Sequence, residues 1–135
     1  MVFDNLMFSG QLRKVIIKNY IAQAQIGVYE HEKNKVQKVR FNVDLYVRKA
    51  PGIPREFSEV YNYDLVPQVI EKTIARGHFD LQETLIGEIA RELLKDQEVA
   101  ALRIRSEKLE VYPNAESAGI EEFFVQDDSQ RPKEC

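Results

Sequence analysis

Between Val39 and Val47 the chain alternates without a fault. Val39, Phe41, Val43, Leu45 and Val47 are apolar, while Lys38, Arg40, Asn42, Asp44 and Tyr46 fill the alternate places. A period of two marks a strand with one buried face. Upstream, the β-branched run KVIIK at 14–18 predicts a strand that breaks at Asn19, resumes through 21–26 and stops at Gly27. A charged loop, YEHEKNK at 29–35, separates the two, and Pro51, Gly52 and Pro54 end the second. The period then changes. Leu65, Val66, Val69, Ile70, Thr73 and Ile74 recur at i, i+1, i+4, i+5, i+8 and i+9, one face of a helix. Pro67 is tolerated only in a first turn, which sets the start near Asp64, and Gly77 suits a C-terminal cap. Asp80 reads as the N-cap of a second helix, with Glu83 three residues on, as in a capping box. Leu81, Leu85, Ile89 and Leu93 give its apolar face at i+4 spacing, with Ala90 and Leu94 beside them. After Asp96 strands return. Leu102, Ile104 and Ser106 alternate with Arg103, Arg105 and Glu107, and residues 109–111 extend the run. A turn at Pro113–Asn114 precedes a last strand over 117–125.

The predicted order is ββααββ. Direct links between strands this short demand antiparallel pairing. Two amphipathic helices over one face of a four-stranded antiparallel sheet make an α+β domain, placed at 13–125. Residues 1–12 are expected to be a loosely held lead-in, and 126–135 a polar, disordered tail. The far face of the sheet, with Arg40, Asn42, Asp44 and Tyr46, is polar. Both sheet edges need a partner, which points to subunits joined edge to edge.

Composition narrows the class. The chain has 135 residues, one domain's worth, with 44% hydrophobic and 30% charged residues. A net charge of −3 argues against nucleic acid as the main partner. The lone cysteine, Cys135, cannot form an internal disulfide, which fits a reducing compartment. No apolar run approaches the ~20 residues of a membrane span, and the N-terminal stretch lacks the pattern of a signal peptide. A cytoplasmic protein without membrane partners is expected. His31, His78 and Cys135 are the only soft ligands, too few for a zinc cluster, so no metal is expected.

Four residues are candidates for chemistry. Glu32 belongs to the charged loop, where a solvated charge is the plain alternative to a role. Tyr63 precedes a helix and could simply pack on it. Glu83 has a ready use in the capping box. Lys108 shares the inward parity of Leu102 and Ile104, and an inward lysine needs a partner or a cavity. His31 and His78 read as surface loop residues, and Gly27 and Gly119 as backbone devices.

The strings IGVYEHEK (26–33), NYDLV (62–66), FDLQETLIGEIARELL (79–94), RIRSEKLEV (103–111) and AGIE (118–121) together resemble the dihydroneopterin aldolase family. The resemblance runs over 14–125, nearly the whole chain. It implies the tunnelling fold, rings of four subunits that commonly stack as an octamer, and pockets between neighbouring subunits. It implies a retro-aldol cleavage in folate biosynthesis, giving 6-hydroxymethyl-7,8-dihydropterin and glycolaldehyde from 7,8-dihydroneopterin, with neither metal nor cofactor. The N5=C6 imine of such a substrate is its own electron sink, so no Schiff-base lysine is needed. By the same resemblance Glu83 anchors the pterin, helped by its neighbours Gln82 and Thr84 at the start of the second helix. Lys108 is the catalytic base, Glu32 completes the site and orients water, and Tyr63 assists protonation. Two positions depart from the family's habit: Leu109 stands where proline often follows the lysine, and Glu59 where aspartate usually precedes the tyrosine by four. A shifted register would put Ser106 in the lysine's place. Two other activities remain open at this point. One is an epimerase of dihydroneopterin or its triphosphate, for which Lys33, Lys35 and Arg55 could hold phosphate. The other is a non-catalytic pterin-binding subunit.

Overall fold

The computed structural model describes residues 10–126. Most of the predicted lead-in, and the predicted tail from residue 127 with its cysteine, lie outside the described residues. Strands β1 (Leu12–Ala24) and β2 (Gln37–Arg48) come first, then helices α1 (Leu65–Ile74) and α2 (Gln82–Leu93), then strands β3 (Val99–Lys108) and β4 (Ala118–Val125). Single 3-10 turns at Glu30–Glu32 and Phe57–Glu59 punctuate the two long loops. The sheet runs in the order β1-β2-β3-β4, every pair antiparallel. Its edges are therefore β1 and β4.

The alternation of β2 becomes burial. Val39, Phe41, Val43, Leu45 and Val47 are at most 3% exposed. Val66 and Ile70 of α1 and Leu85, Ile86, Ile89, Ala90 and Leu93 of α2 lie in the same core, so both helices cover that one face. Each fully buried Val, Leu, Ile or Phe contributes about 1.5–3 kcal/mol, which makes this seam the main source of stability. Thr73, the polar member of the α1 stripe, is buried with its hydroxyl donating to the Val69 carbonyl at 2.7 Å. On the far face, Asp44 is paired with Arg103 and Lys14, and Arg40 with Glu107.

Three local expectations are corrected. The break at Asn19 is a β-bulge: Asn19 takes a φ of 56° and the pairing with β2 slips between Ile17 and Tyr20. Its amide donates to Asn42 Oδ1 at 2.8 Å, which holds the bulge closed. Residues 109–111 do not extend β3, because its last pairs, Glu107 with Gly119 and Lys108 with Ala118, already lead into the turn. Gln126 is not part of a loose tail. Its amide donates to the carbonyls of Leu94 and Val99 at 2.9 and 3.0 Å, pinning the end of β4 to the α2–β3 turn. At Gly119 there is no room for a side chain: any Cβ there would run into the Ser106 and Glu107 backbone.

Candidate active site

The N-cap of α2 is Leu81, not Asp80. Leu81 is 48% exposed rather than part of the buried stripe, and as an apolar residue it makes no side-chain cap bond. The Asp80 carboxylate turns instead to His78 Nε2 at 3.3 Å and Lys33 Nζ at 3.8 Å. The predicted capping box is therefore absent, and Glu83 is an exposed carboxylate in the first turn of α2. The first-turn N–H groups of a helix have no intrahelical acceptor, so the backbone at Gln82, Glu83 and Thr84 presents donors beside that carboxylate.

The register of β3 places two polar side chains on the core face. Ser106, fully buried, donates from Oγ to Gln82 Oε1 at 2.7 Å. Lys108 lies two residues on, one strand repeat of about 6.6 Å along the same face. It donates from Nζ to Glu32 Oε2 at 2.7 Å. The strand thus spaces the start of α2 from Glu32, and Lys108 rather than Ser106 reaches the loop carboxylate.

Glu32 is only 6% exposed, in the 3-10 turn of the β1–β2 loop. Gln37 Nε2 donates to its Oε2 at 2.8 Å and the Tyr29 amide to its Oε1 at 3.3 Å. Burial pushes the Glu32 carboxyl up. The hydrogen bonds from Lys108, Gln37 and Tyr29, with the lysine's charge, together outweigh it and bring the group down to about 2. The carboxylate lies against Gly27, whose φ is 134° and where any Cβ would overlap it. Gln37 also donates to the Ile26 carbonyl at 2.7 Å, so one amide holds both ends of the loop. Sequence reading passed over Gln37. The available signal was its parity: it continues the buried set of β2 one step upstream as a polar residue, 8% exposed.

The loop is stitched to the approach of α2. Gly27 N donates to the Phe79 carbonyl at 3.0 Å, Phe79 N to the Gln25 carbonyl at 2.9 Å, and Ile26 forms a single bridge with Phe79. His78, expected to be a plain surface residue, has Nε2 2.8 Å from the Gly27 carbonyl. His31 stacks on Tyr29 with ring centroids 5.7 Å apart.

A cleft of about 410 Å³ opens over the Glu32–Lys108 pair, walled by Gln37, Tyr29, Lys35 and Tyr112 among others. A larger hollow of about 670 Å³ lies between α2 and β4 at Gly87, Arg91, Leu94 and Phe124, and contains none of the candidate residues. The smaller cleft is the candidate for chemistry, because it holds the buried ion pair. Of the three basic residues considered for phosphate, only Lys35 lines it. Lys33 is paired with Asp80, and Arg55 lies in the β2–α1 loop with its amide toward Glu59 at 3.5 Å.

One chain does not unite all four candidates. Among the described residues, neither Tyr63 nor Glu83 has a hydrogen bond or ion pair to Glu32 or Lys108. Tyr63 is 61% exposed at the start of α1.

The profile of the FolB family, dihydroneopterin aldolase, matches residues 15–122. A search of curated proteins finds no match. Among solved structures, the chain is similar to the dihydroneopterin aldolase of Burkholderia thailandensis bound to guanine, at 34% identity and a TM-score of 0.77, covering 87% of this chain and 94% of that one. It is also similar to a Vibrio cholerae protein assigned as a dihydroneopterin aldolase, at 27% identity and a TM-score of 0.77, covering 84% and 98%. The Escherichia coli dihydroneopterin aldolase in complex with neopterin shares the fold at 20% identity and a TM-score of 0.71, covering 82% and 97%. With a match over most of its length, a shared fold and a buried ion pair in a cleft, this chain belongs to the dihydroneopterin aldolase family.

Proposed function

We infer that the protein cleaves 7,8-dihydroneopterin by a retro-aldol reaction to 6-hydroxymethyl-7,8-dihydropterin and glycolaldehyde, in folate biosynthesis. The observation that carries this reading is the buried Lys108–Glu32 pair in its cleft, in a chain of this family. Glu83 is free of capping duty. Its carboxylate accepts the 2-amino and N3 hydrogens of the pterin, while Gln82 and Thr84 contribute backbone donors. The Gln82 side chain is already engaged by Ser106.

Lys108 takes the proton of the 2′-hydroxyl, directly or through a water held by Glu32. The C1′–C2′ bond breaks, and C2′ leaves as the carbonyl carbon of glycolaldehyde. The bonding electrons form C6=C1′ and move the imine pair onto N5, which takes up a proton. Protonation at C1′ and loss of the N5 proton restore the imine. Glu32, held near a pKa of 2, stays ionised and orients rather than accepts the proton.

Tyr63, the acid for these protonations, comes from an adjacent copy. Support lies in the edges β1 and β4, each paired on one side only among the described residues, whose joining would close a ring of four, and in the exposure of Tyr63 with Ile53 and Phe57 of its loop. Two rings stack as an octamer in the cytoplasm, and the reaction uses no metal. The test is incubation with 7,8-dihydroneopterin without added metal, resolving pterins by chromatography and assaying glycolaldehyde. Equal amounts of the two products support the aldolase. The 2′-epimer alone makes it an epimerase, and bound but unchanged pterin makes it a binding subunit.

A further inference from the structure

Outside the residues given a role above, His78 is a titratable side chain that bonds the Glu32 loop at Gly27. Its ring is 24% exposed. Nε2 faces two acceptors, the Gly27 carbonyl at 2.8 Å and Asp80 Oδ1 at 3.3 Å. A nitrogen between two acceptors must carry its proton, so Nε2 donates whether the ring is neutral or charged. The bond falls at a sensitive place. Gly27 is the residue against which the Glu32 carboxylate lies, and its φ of 134° is one that only a glycine adopts readily. Its N–H is taken by Phe79 and its carbonyl by His78, so a two-residue segment grips both faces of the peptide chain there. That segment runs directly into Leu81 and the first turn of α2, where Glu83 stands. Asp80 steadies the ring from one side and is itself tied to Lys33, the residue after Glu32.

We propose that His78 is a positioning residue: through the Gly27 carbonyl it sets the Glu32 loop, and with it the Glu32–Lys108 pair, at a constant separation from the pterin-anchoring start of α2. The inference rests on the aldolase reading above. Displacing the pair from the substrate side chain slows proton transfer and leaves pterin binding at Glu83 unchanged.

The test compares wild type with His78→Phe and His78→Gln, measuring kcat, KM and the dissociation constant of 6-hydroxymethyl-7,8-dihydropterin. His78→Phe fills the site without a donor; glutamine places an N–H donor near the position of Nε2. The expected result is a loss of about tenfold in kcat for His78→Phe with product affinity within about twofold, and recovery to within about threefold by His78→Gln. Unchanged kcat in His78→Phe overturns the proposal. So does a parallel loss of kcat and affinity that glutamine does not restore, because that is a folding role. A wild-type protein that binds pterin and cleaves nothing overturns the aldolase reading and this proposal with it, whereas an active wild type with an indifferent His78→Phe removes the His78 assignment alone.

Discussion

Lys108 Nζ and Glu32 Oε2 lie 2.7 Å apart, joining the end of β3 to a loop 76 residues earlier in the chain. The lysine side chain is 14% exposed and the glutamate's 8%. Breaking so sheltered a pair strands a charge, which makes each partner costly to remove alone.

Lys108→Ala is expected to lower kcat by about 10²–10⁴-fold, the span of general acid–base catalysis, while pterin affinity changes little. Stopped-flow turnover beside equilibrium binding of the product separates the two. Equal losses in both would make Lys108 a binding or folding residue.

Glu83→Ala should do the reverse and abolish pterin binding. Because the carboxylate is exposed and caps nothing, the melting temperature should move little, within about 0.5 kcal/mol of stability. Calorimetry of binding and of unfolding on one preparation checks both halves. A drop in melting temperature with binding retained would return Glu83 to a structural role.

Glu32 sets a pH signature. Its carboxyl is held down at about 2, against 4.5 for the free group. A depressed acid contributes stability that is complete above the unfolded value and disappears as pH falls through the folded one. The melting temperature should therefore decline between about pH 4.5 and 2, and Glu32→Gln should flatten the part of the decline due to this group. A curve identical for both proteins would show that the pair contributes nothing to the acid limb.

Gly27→Ala should damage stability and turnover together. The added methyl overlaps the Glu32 carboxylate, and a φ of 134° is strained for any L side chain. A loss of about 1–3 kcal/mol in urea unfolding is expected, with kcat reduced beyond what the fraction unfolded explains.

Light scattering should give the mass of four or eight chains. Charged substitutions on the β4 edge that yield monomers should also yield inactive protein, since Tyr63 then has no neighbouring cleft to enter. A stable, active monomer would refute the shared site.

How much of this was legible beforehand depends on range. Val39 to Val47 show their strand and its buried face because burial on a pleated sheet repeats every two residues, a local fact. The faces of α1 and α2 follow for the same reason at a period of 3.6, and the parity of Lys108 marked it as inward. Asp80 misled because a cap is decided by where the chain turns: its carboxylate found His78 and Lys33 within reach, and Leu81 took the boundary. The bulge at Asn19 required Asn42 on the facing strand, and Gln126 required the carbonyls of the α2–β3 turn. His78 carries no signature in its neighbours, and Gln37 only its parity with the buried set of β2. Each gains its place from backbone groups that only folding brings near, the Ile26 and Gly27 carbonyls.

The elements, their order and their core faces are thus local properties of the chain, since they rest on periodic burial and backbone preference. Which polar groups meet is settled by folding alone. A hydrogen bond depends on a few tenths of an ångström between residues far apart in the chain, and no local pattern encodes that distance.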